Sequence, residues 1–179
     1  MTGNNQAVKH FLLLFLFLGV SMLVFLYVAK GKIEAETATV AVVQREARRS
    51  AQFTDDSLVR VSIGAASVSA EVAESDAKKA LGLGNREKLA GGTGMLFVFK
   101  EPGVYRFWNR NMRFPIDIIW IRDGTVVDLW EHLPEYAAEK DFTVTPKAAA
   151  NFILEVPDGF IREYAMHVGD KATYEPEKN

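Results

Sequence analysis

The sequence predicts a mainly β protein, an α+β chain with two short helices arranged as a β-sandwich or distorted barrel, preceded by one N-terminal transmembrane helix. Three observations carry this. Residues 11–29 form a run of 19 residues without a charge. From Leu58 onward, apolar residues alternate with polar or small ones at the two-residue period of a half-buried strand. Short strand patterns separated by turn signals then recur to the end of the chain, with no internal repeat.

The apolar run comes first. From Phe11 to Ala29 it spans about 28 Å as a helix, close to the hydrocarbon thickness of a bilayer. Gly19 and Ser21 are small residues that such helices tolerate. A cleaved secretory signal would have a shorter apolar region and a small-x-small site, and Lys30-Gly31-Lys32-Ile33-Glu34 offers none. A retained anchor is expected, with the membrane as its partner and residues 1–10 as a tail. Lys9 lies on one flank, while Lys30, Lys32, Arg45, Arg48 and Arg49 follow on the other. A literal count of positive charge would keep the following domain inside. Long domains, however, translocate largely regardless of charge, so an extracytoplasmic domain, periplasmic or at the cell surface, is expected. Residues 30–57 read as a linker or stalk, either helical or a solvated tether near lipid headgroups.

The globular domain is expected over residues 58–175, with 176–179 as a tail. Val59, Val61 and Ile63 mark a first strand, and Val68, Ala70 and Val72 a second. Ser75 can cap a short helix over 76–81 that stops at Gly82. Residues 95–99 form a continuous apolar run, which suits a strand covered on both faces. Strands follow at 104–108 and 116–121. Asp123-Gly124 is a hairpin turn into 125–130, because a type I′ turn needs positive φ at both central residues. Residues 132–147 read as a long loop, 151–156 as a strand, 158–166 as a turn and short helix, and 171–174 as the last strand.

Composition narrows the chemistry. The charged residues, 21 Lys and Arg against 23 Asp and Glu, leave a net charge of -2 and no basic surplus for nucleic acid. Cysteine is absent, which removes disulfides and thiolate metal sites. His10, His132 and His167 show no ligand spacing, so neither a metal nor a cofactor is expected. Gly82-x-Gly84 follows a helix rather than a strand, unlike a phosphate cradle, and Gly91-Gly92-Thr93-Gly94 reads as a tight turn.

The remaining candidates are charges inside apolar strands. Asp117 shares a strand face with Ile119 and Ile121, and Glu155 shares one with Asn151 and Ile153. A buried carboxylate needs an arginine or several donors, or its pKa rises. Arg86, Arg106 and Arg113 are available partners. Asp117 or Glu155 could be a general acid or base or grip a ligand. Alternatively, Asp117 ties down the loop before it and Glu155 completes a buried ion pair. Trp108, Trp120 and Trp130, with Asn109 and Asn111, could form a sugar-stacking platform, although core packing is the expected role of at least two of the tryptophans.

Several short stretches occur in a characteristic order: Ala80-Leu81-Gly82-Leu83 with Arg86, then Gly94-Met95-Leu96-Phe97-Val98-Phe99. Phe107-Trp108-Asn109-Arg110-Asn111, Pro115-Ile116-Asp117-Ile118-Ile119, Leu154-Glu155 with Gly159, and Gly169-Asp170 follow. In this the chain resembles the prokaryotic domain of unknown function 192 family, from about Val59 to Tyr174. The resemblance implies a mainly β, sandwich-like fold and marks Arg86, Asn111, Asp117 and Glu155 as the characteristic polar positions. It also implies methionine where Gly84 and Asn109 stand, and it brings no established activity. The functional expectation is a membrane-held binding module for a small polar ligand, glycan or protein partner, using those four polar residues. One alternative is a hydrolase with Asp117 and Glu155 as acid and base. Another is an assembly factor using an apolar patch around residues 130–136.

Overall fold

A computed structural model describes residues 4–136 and 141–177, with the side chains of 4–8, 42 and 45–52 left aside. Part of the expected long loop, 137–140, and the extreme termini lie outside the described residues.

Helix α1 (Asn4–Gln52) takes in the apolar run and most of the expected stalk as one helix. It is long and apolar enough to cross a membrane over Lys9–Ala41. Every large apolar side chain from Phe11 to Val28 is at least half exposed.

The chain forms two compact units, residues 1–49 and 50–179. The second is a curled, seven-stranded sheet in the order β6-β5-β8-β3-β2-β1-β9. Strands β1 (Leu58–Ile63) and β2 (Ala66–Ala73) form a hairpin, and helix α2 (Asp76–Leu81) carries the chain to β3 (Thr93–Gly103). That crossover makes β2 and β3 the one parallel pair in the sheet. As expected, Ser75 caps α2 by accepting from the Lys78 amide, and Gly82 ends it at φ 53°.

Strands β5 (Ile116–Arg122) and β6 (Thr125–Leu133) follow, joined at Asp123 and Gly124, whose φ values of 49° and 76° fit the expected turn. Strand β8 (Ala150–Pro157), helix α3 (Phe160–Glu163) and β9 (Ala172–Pro176) complete the unit. The expected strand at 104–108 shrinks to β4 (Phe107–Trp108), which pairs with β7 (Thr143–Val144) in a separate ribbon. Residues 104–106 instead make the bend at which Tyr105 stacks on Phe99, with ring centroids 3.6 Å apart. The expected loop 132–147 likewise begins within β6 and holds β7.

Both faces of the sheet are buried at its centre, so β3, β5 and β8 read as continuous apolar runs. One face packs Val61, Val68, Leu96, Ile119, Leu154 and Val156 against Phe160, Ile161 and Met166. Phe53, just after α1, joins this core and contacts the Phe152 ring at 5.3 Å. The other face packs Met95, Phe97, Ile118, Trp120 and Ile153 against Leu83, Phe107 and Met112. Gly94 lies where β3 meets both neighbours, and a Cβ there would sit 2.6 Å from the Glu155 carbonyl oxygen. Close approach, rather than the expected turn, is what requires glycine at this position; the turn residue is Gly92, at φ 72°.

Candidate functional site

Strand register decides what the two buried carboxylates can do. Residues paired across neighbouring strands project to the same face. Asp117 is opposite Val156, and Glu155 is opposite Ile118. The two carboxyls therefore lie on opposite faces of the sheet, and the expected acid–base pair cannot share one groove.

Asp117 is fully buried. Its Oδ1 accepts from the His132 amide and its Oδ2 from the Ile161 amide, each at 2.9 Å. His132 has a φ of 56°, where β6 bends, and Ile161 lies in the first turn of α3. Gly159 cannot cap that helix, so Asp117 supplies the acceptor from across the sheet. It binds two later elements rather than the loop before it.

Glu155 contrasts with this. Its residue is 4% exposed and its Oε2 has no hydrogen-bond partner. Burial pushes its carboxyl up to about 8, against a smaller opposing pull from the Arg86 charge. The expected buried ion pair does not form. Arg86 instead gives Nη2 to both oxygens of Glu71, at 3.0 and 2.9 Å. Glu71 lies on the same face as Glu155, with Met95 between them in the register. Burial works to raise Glu71, but hydrogen bonds from Lys78 and Arg86 and their charges outweigh it and hold the carboxyl below its ordinary range. Protonated Glu155 is thus a hydrogen-bond donor at neutral pH, one strand removed from an ionised, fully paired Glu71.

Glu155 lines a cavity of about 300 Å³ bounded by α2, the Gly82–Gly84 turn, β3 and residues 105–112. Phe97, Phe99, Tyr105, Phe107 and Trp108 supply its apolar wall. Lys79, Arg106 and Arg110 bring positive charge, and Asp76 is the other acid in the lining. Lys79 is held in place by the Val98 carbonyl at 3.1 Å and by the Phe99 ring, 4.6 Å from Nζ to the centroid. Arg110 pairs with Asp141 at 2.8 Å. Arg106 is exposed, and among the described residues it has no ion-pair partner.

Of the four polar positions singled out in the sequence, Glu155 alone lines this cavity. Arg86 lies outside the lining, near enough for its charge to act on Glu155. Asn111 is exposed with φ 61°, and its carbonyl accepts from the Asn85 amide at 2.9 Å. Asn109 is 1% exposed: its Oδ1 accepts from the Phe142 amide at 2.8 Å and its Nδ2 donates to the Glu135 carbonyl at 3.2 Å. It ties down Glu135 and Phe142 rather than facing a ligand. Trp120 is buried, whereas Trp108 and Trp130 are 48% and 37% exposed, so one tryptophan and not two packs in the core. Trp108 belongs to the cavity and Trp130 contacts Phe142 elsewhere, which divides the expected stacking platform. The sequence signal for the cavity was the aromatic and basic alternation at Tyr105, Arg106, Phe107 and Trp108, which also fits a plain strand.

No histidine, aspartate and glutamate cluster suited to a metal occurs among the described residues.

These features define a curled β domain with a small aromatic and basic cavity, following an apolar N-terminal helix. The chain belongs to the domain of unknown function 192 family, described as "Uncharacterized ACR", which it matches over residues 59–174. No curated protein matches the chain. Among solved structures it is similar to a Sinorhizobium meliloti 1021 protein provisionally named a transcription regulator, at 23% identity and a TM-score of 0.62. That match covers 68% of this chain and 96% of the other. It is also similar to a protein of unknown function from Novosphingobium aromaticivorans DSM 12444, at 26% identity and a TM-score of 0.61, over 65% and 84% of the two chains.

Proposed function

We propose that this chain is a membrane-anchored module that binds a small polar ligand in the Glu155 cavity, held at the outer membrane face by residues 11–29. The observation that carries the reading is an aromatic-lined cavity whose lining includes Glu155, a buried acid with one carboxyl oxygen left without a hydrogen-bond partner. A buried polar group without a partner costs about 1–3 kcal/mol, so a ligand that enters the cavity and turns this carboxyl toward itself recovers that cost on binding. A cavity of about 300 Å³ is at the small end of ligand sites, which suits a compact molecule rather than a glycan chain or a protein. The nucleophile signatures are missing from the sequence and the two buried carboxyls face apart, so binding without catalysis is the simpler chemistry.

The test is a ligand screen on the full chain in detergent, following thermal unfolding by tryptophan fluorescence with sugars, nucleotides and organic acids. A ligand at 100 times its dissociation constant stabilises by about 2.7 kcal/mol and moves the melting point by several degrees. The expected hit disappears in Trp108→Ala. A hit that persists in that variant places the ligand elsewhere and overturns this cavity as the site. Orientation is tested separately. The chain has no cysteine, so Lys88→Cys introduces a single exposed thiol. Labelling by an impermeant maleimide in intact cells supports the extracytoplasmic placement, and labelling only after lysis overturns it.

A further inference from the structure

We infer that the ligand is a small organic anion with a flat apolar body, its charged group met by Arg106 at the cavity mouth and an acceptor oxygen met by Glu155 on the floor. This rests on the binding role proposed for the same cavity and adds the chemical class.

Charge gives the first argument. The lining brings three cations, Lys79, Arg106 and Arg110, against Asp76 and Glu155. Asp76 is fully exposed and lies 3.8 Å from Lys79, so water screens it and its field is partly cancelled. Lys79 and Arg110 have their own partners, Val98 and Asp141. Arg106 is left as the cation whose planar, five-donor fork can grip a carboxylate or a similar oxyanion.

The floor gives the second argument. Glu155 carries a proton at neutral pH, so it offers a donor to an acceptor oxygen and no negative charge to repel an anion. A cationic ligand would need Glu155 ionised. It would then meet four cations of its own sign, Lys79, Arg106 and Arg110 in the lining and Arg86 near enough to act on Glu155. The third argument is shape. Phe97, Phe107 and the stacked Phe99–Tyr105 pair wall the cavity, and Trp108 leaves nearly half its surface free at the same site. Flat rings next to a guanidinium suit a planar body that ends in an oxyanion.

The test uses the full chain in lipid nanodiscs and fluorine NMR line broadening of three probes alike in size: 4-fluorobenzoate, 4-fluorobenzamide and 4-fluorobenzylammonium. Empty nanodiscs and Trp108→Ala set the background. The expected result is benzoate binding at least fivefold tighter than either other probe, with that preference lost in Arg106→Ala. Benzoate affinity should also fall severalfold between pH 6.5 and 9, as Glu155 ionises, and stay flat in Glu155→Gln. The ionisable groups facing Glu155 are Glu71 and Arg86, with Asp76, Lys79, Tyr105, Arg106 and Arg110 around the cavity, and the flat profile of Glu155→Gln separates its titration from theirs. Equal or tighter binding of the amide or the ammonium, still lost in Trp108→Ala, overturns the anion assignment and leaves the cavity as a binding site. A pH-independent wild type overturns the role of Glu155. If none of the probes broadens beyond empty nanodiscs at millimolar concentration, the anion assignment and the small-ligand reading fall together.

Discussion

The neighbouring strands β5 and β8 each bury one acid, on opposite faces of the sheet and one residue apart in register, and the two are treated in opposite ways. On the Val156 face, Asp117 receives two backbone N–H groups and ties β6 to α3. On the Ile118 face, Glu155 has an oxygen with no partner and opens onto a cavity. Burial is nearly equal, so burial does not distinguish them; the supply of donors does. A satisfied buried carboxylate is a structural bracket. An unsatisfied one is a cost that the fold keeps, and such costs gather at sites of function.

Mutations can break this contrast. Asp117→Ala orphans the amides of His132 and Ile161 and leaves a void, which should cost about 4 kcal/mol in denaturant unfolding of the reconstituted chain. A loss under 1 kcal/mol would show that Asp117 is not the bracket described.

Glu155→Gln should act in the other direction, by an amount that grows as pH rises above about 4.5 and levels off above about 8. An unfolded glutamate ionises near 4.5 and the folded one near 8. Between those values the folded state keeps a proton that the unfolded state has released, so wild-type stability falls as pH rises through that window. The glutamine variant does not ionise. It should be more stable than wild type by about 3 kcal/mol at pH 8.5 and no more stable at pH 4, the upper bound from linkage being reduced by relaxation of the site. Paired melts at the two pH values check this, and an equal difference at both would refute the buried, protonated Glu155.

Asn109→Ala sharpens the comparison from the cavity side of the molecule. It removes a satisfied buried amide and its two hydrogen bonds, to the Glu135 carbonyl and from the Phe142 amide, and should cost about 2 kcal/mol. Faster hydrogen exchange at the Phe142 amide would accompany it; unchanged exchange there would count against the pin. The smallest effect is expected at Asn111, whose positive φ is the main constraint. Asn111→Ala should cost about 1 kcal/mol and Asn111→Gly almost nothing, with ligand affinity unchanged in both. A loss of binding in Asn111→Gly would return this residue to the site.

Much of the fold was legible because it depends on local pattern. The alternation in β1 and β2, the Ser75 and Gly82 limits of α2, the Asp123-Gly124 turn and the doubly buried run of β3 all follow from side-chain period, capping and backbone freedom. Where local pattern was ambiguous it misled: residues 104–108 are rich in the β-branched and aromatic residues of a strand, yet Tyr105 leaves that line to stack on Phe99. The site was less legible. Glu155 stood out as an acid in an apolar strand, but so did Asp117, and nothing in their neighbours along the chain separates them.

By itself the sequence determined an apolar helix long enough for a bilayer, a β domain behind it, and that the strand at 95–99 would be buried on both faces. Those properties are set by residues within a few positions of each other. Only the tertiary structure decided that Asp117 meets amides 15 and 44 residues away, that Arg86 goes to Glu71, and that Glu155 is left facing the cavity. Strand register and the crossing of distant segments choose a buried polar group's partners, and no local period encodes them.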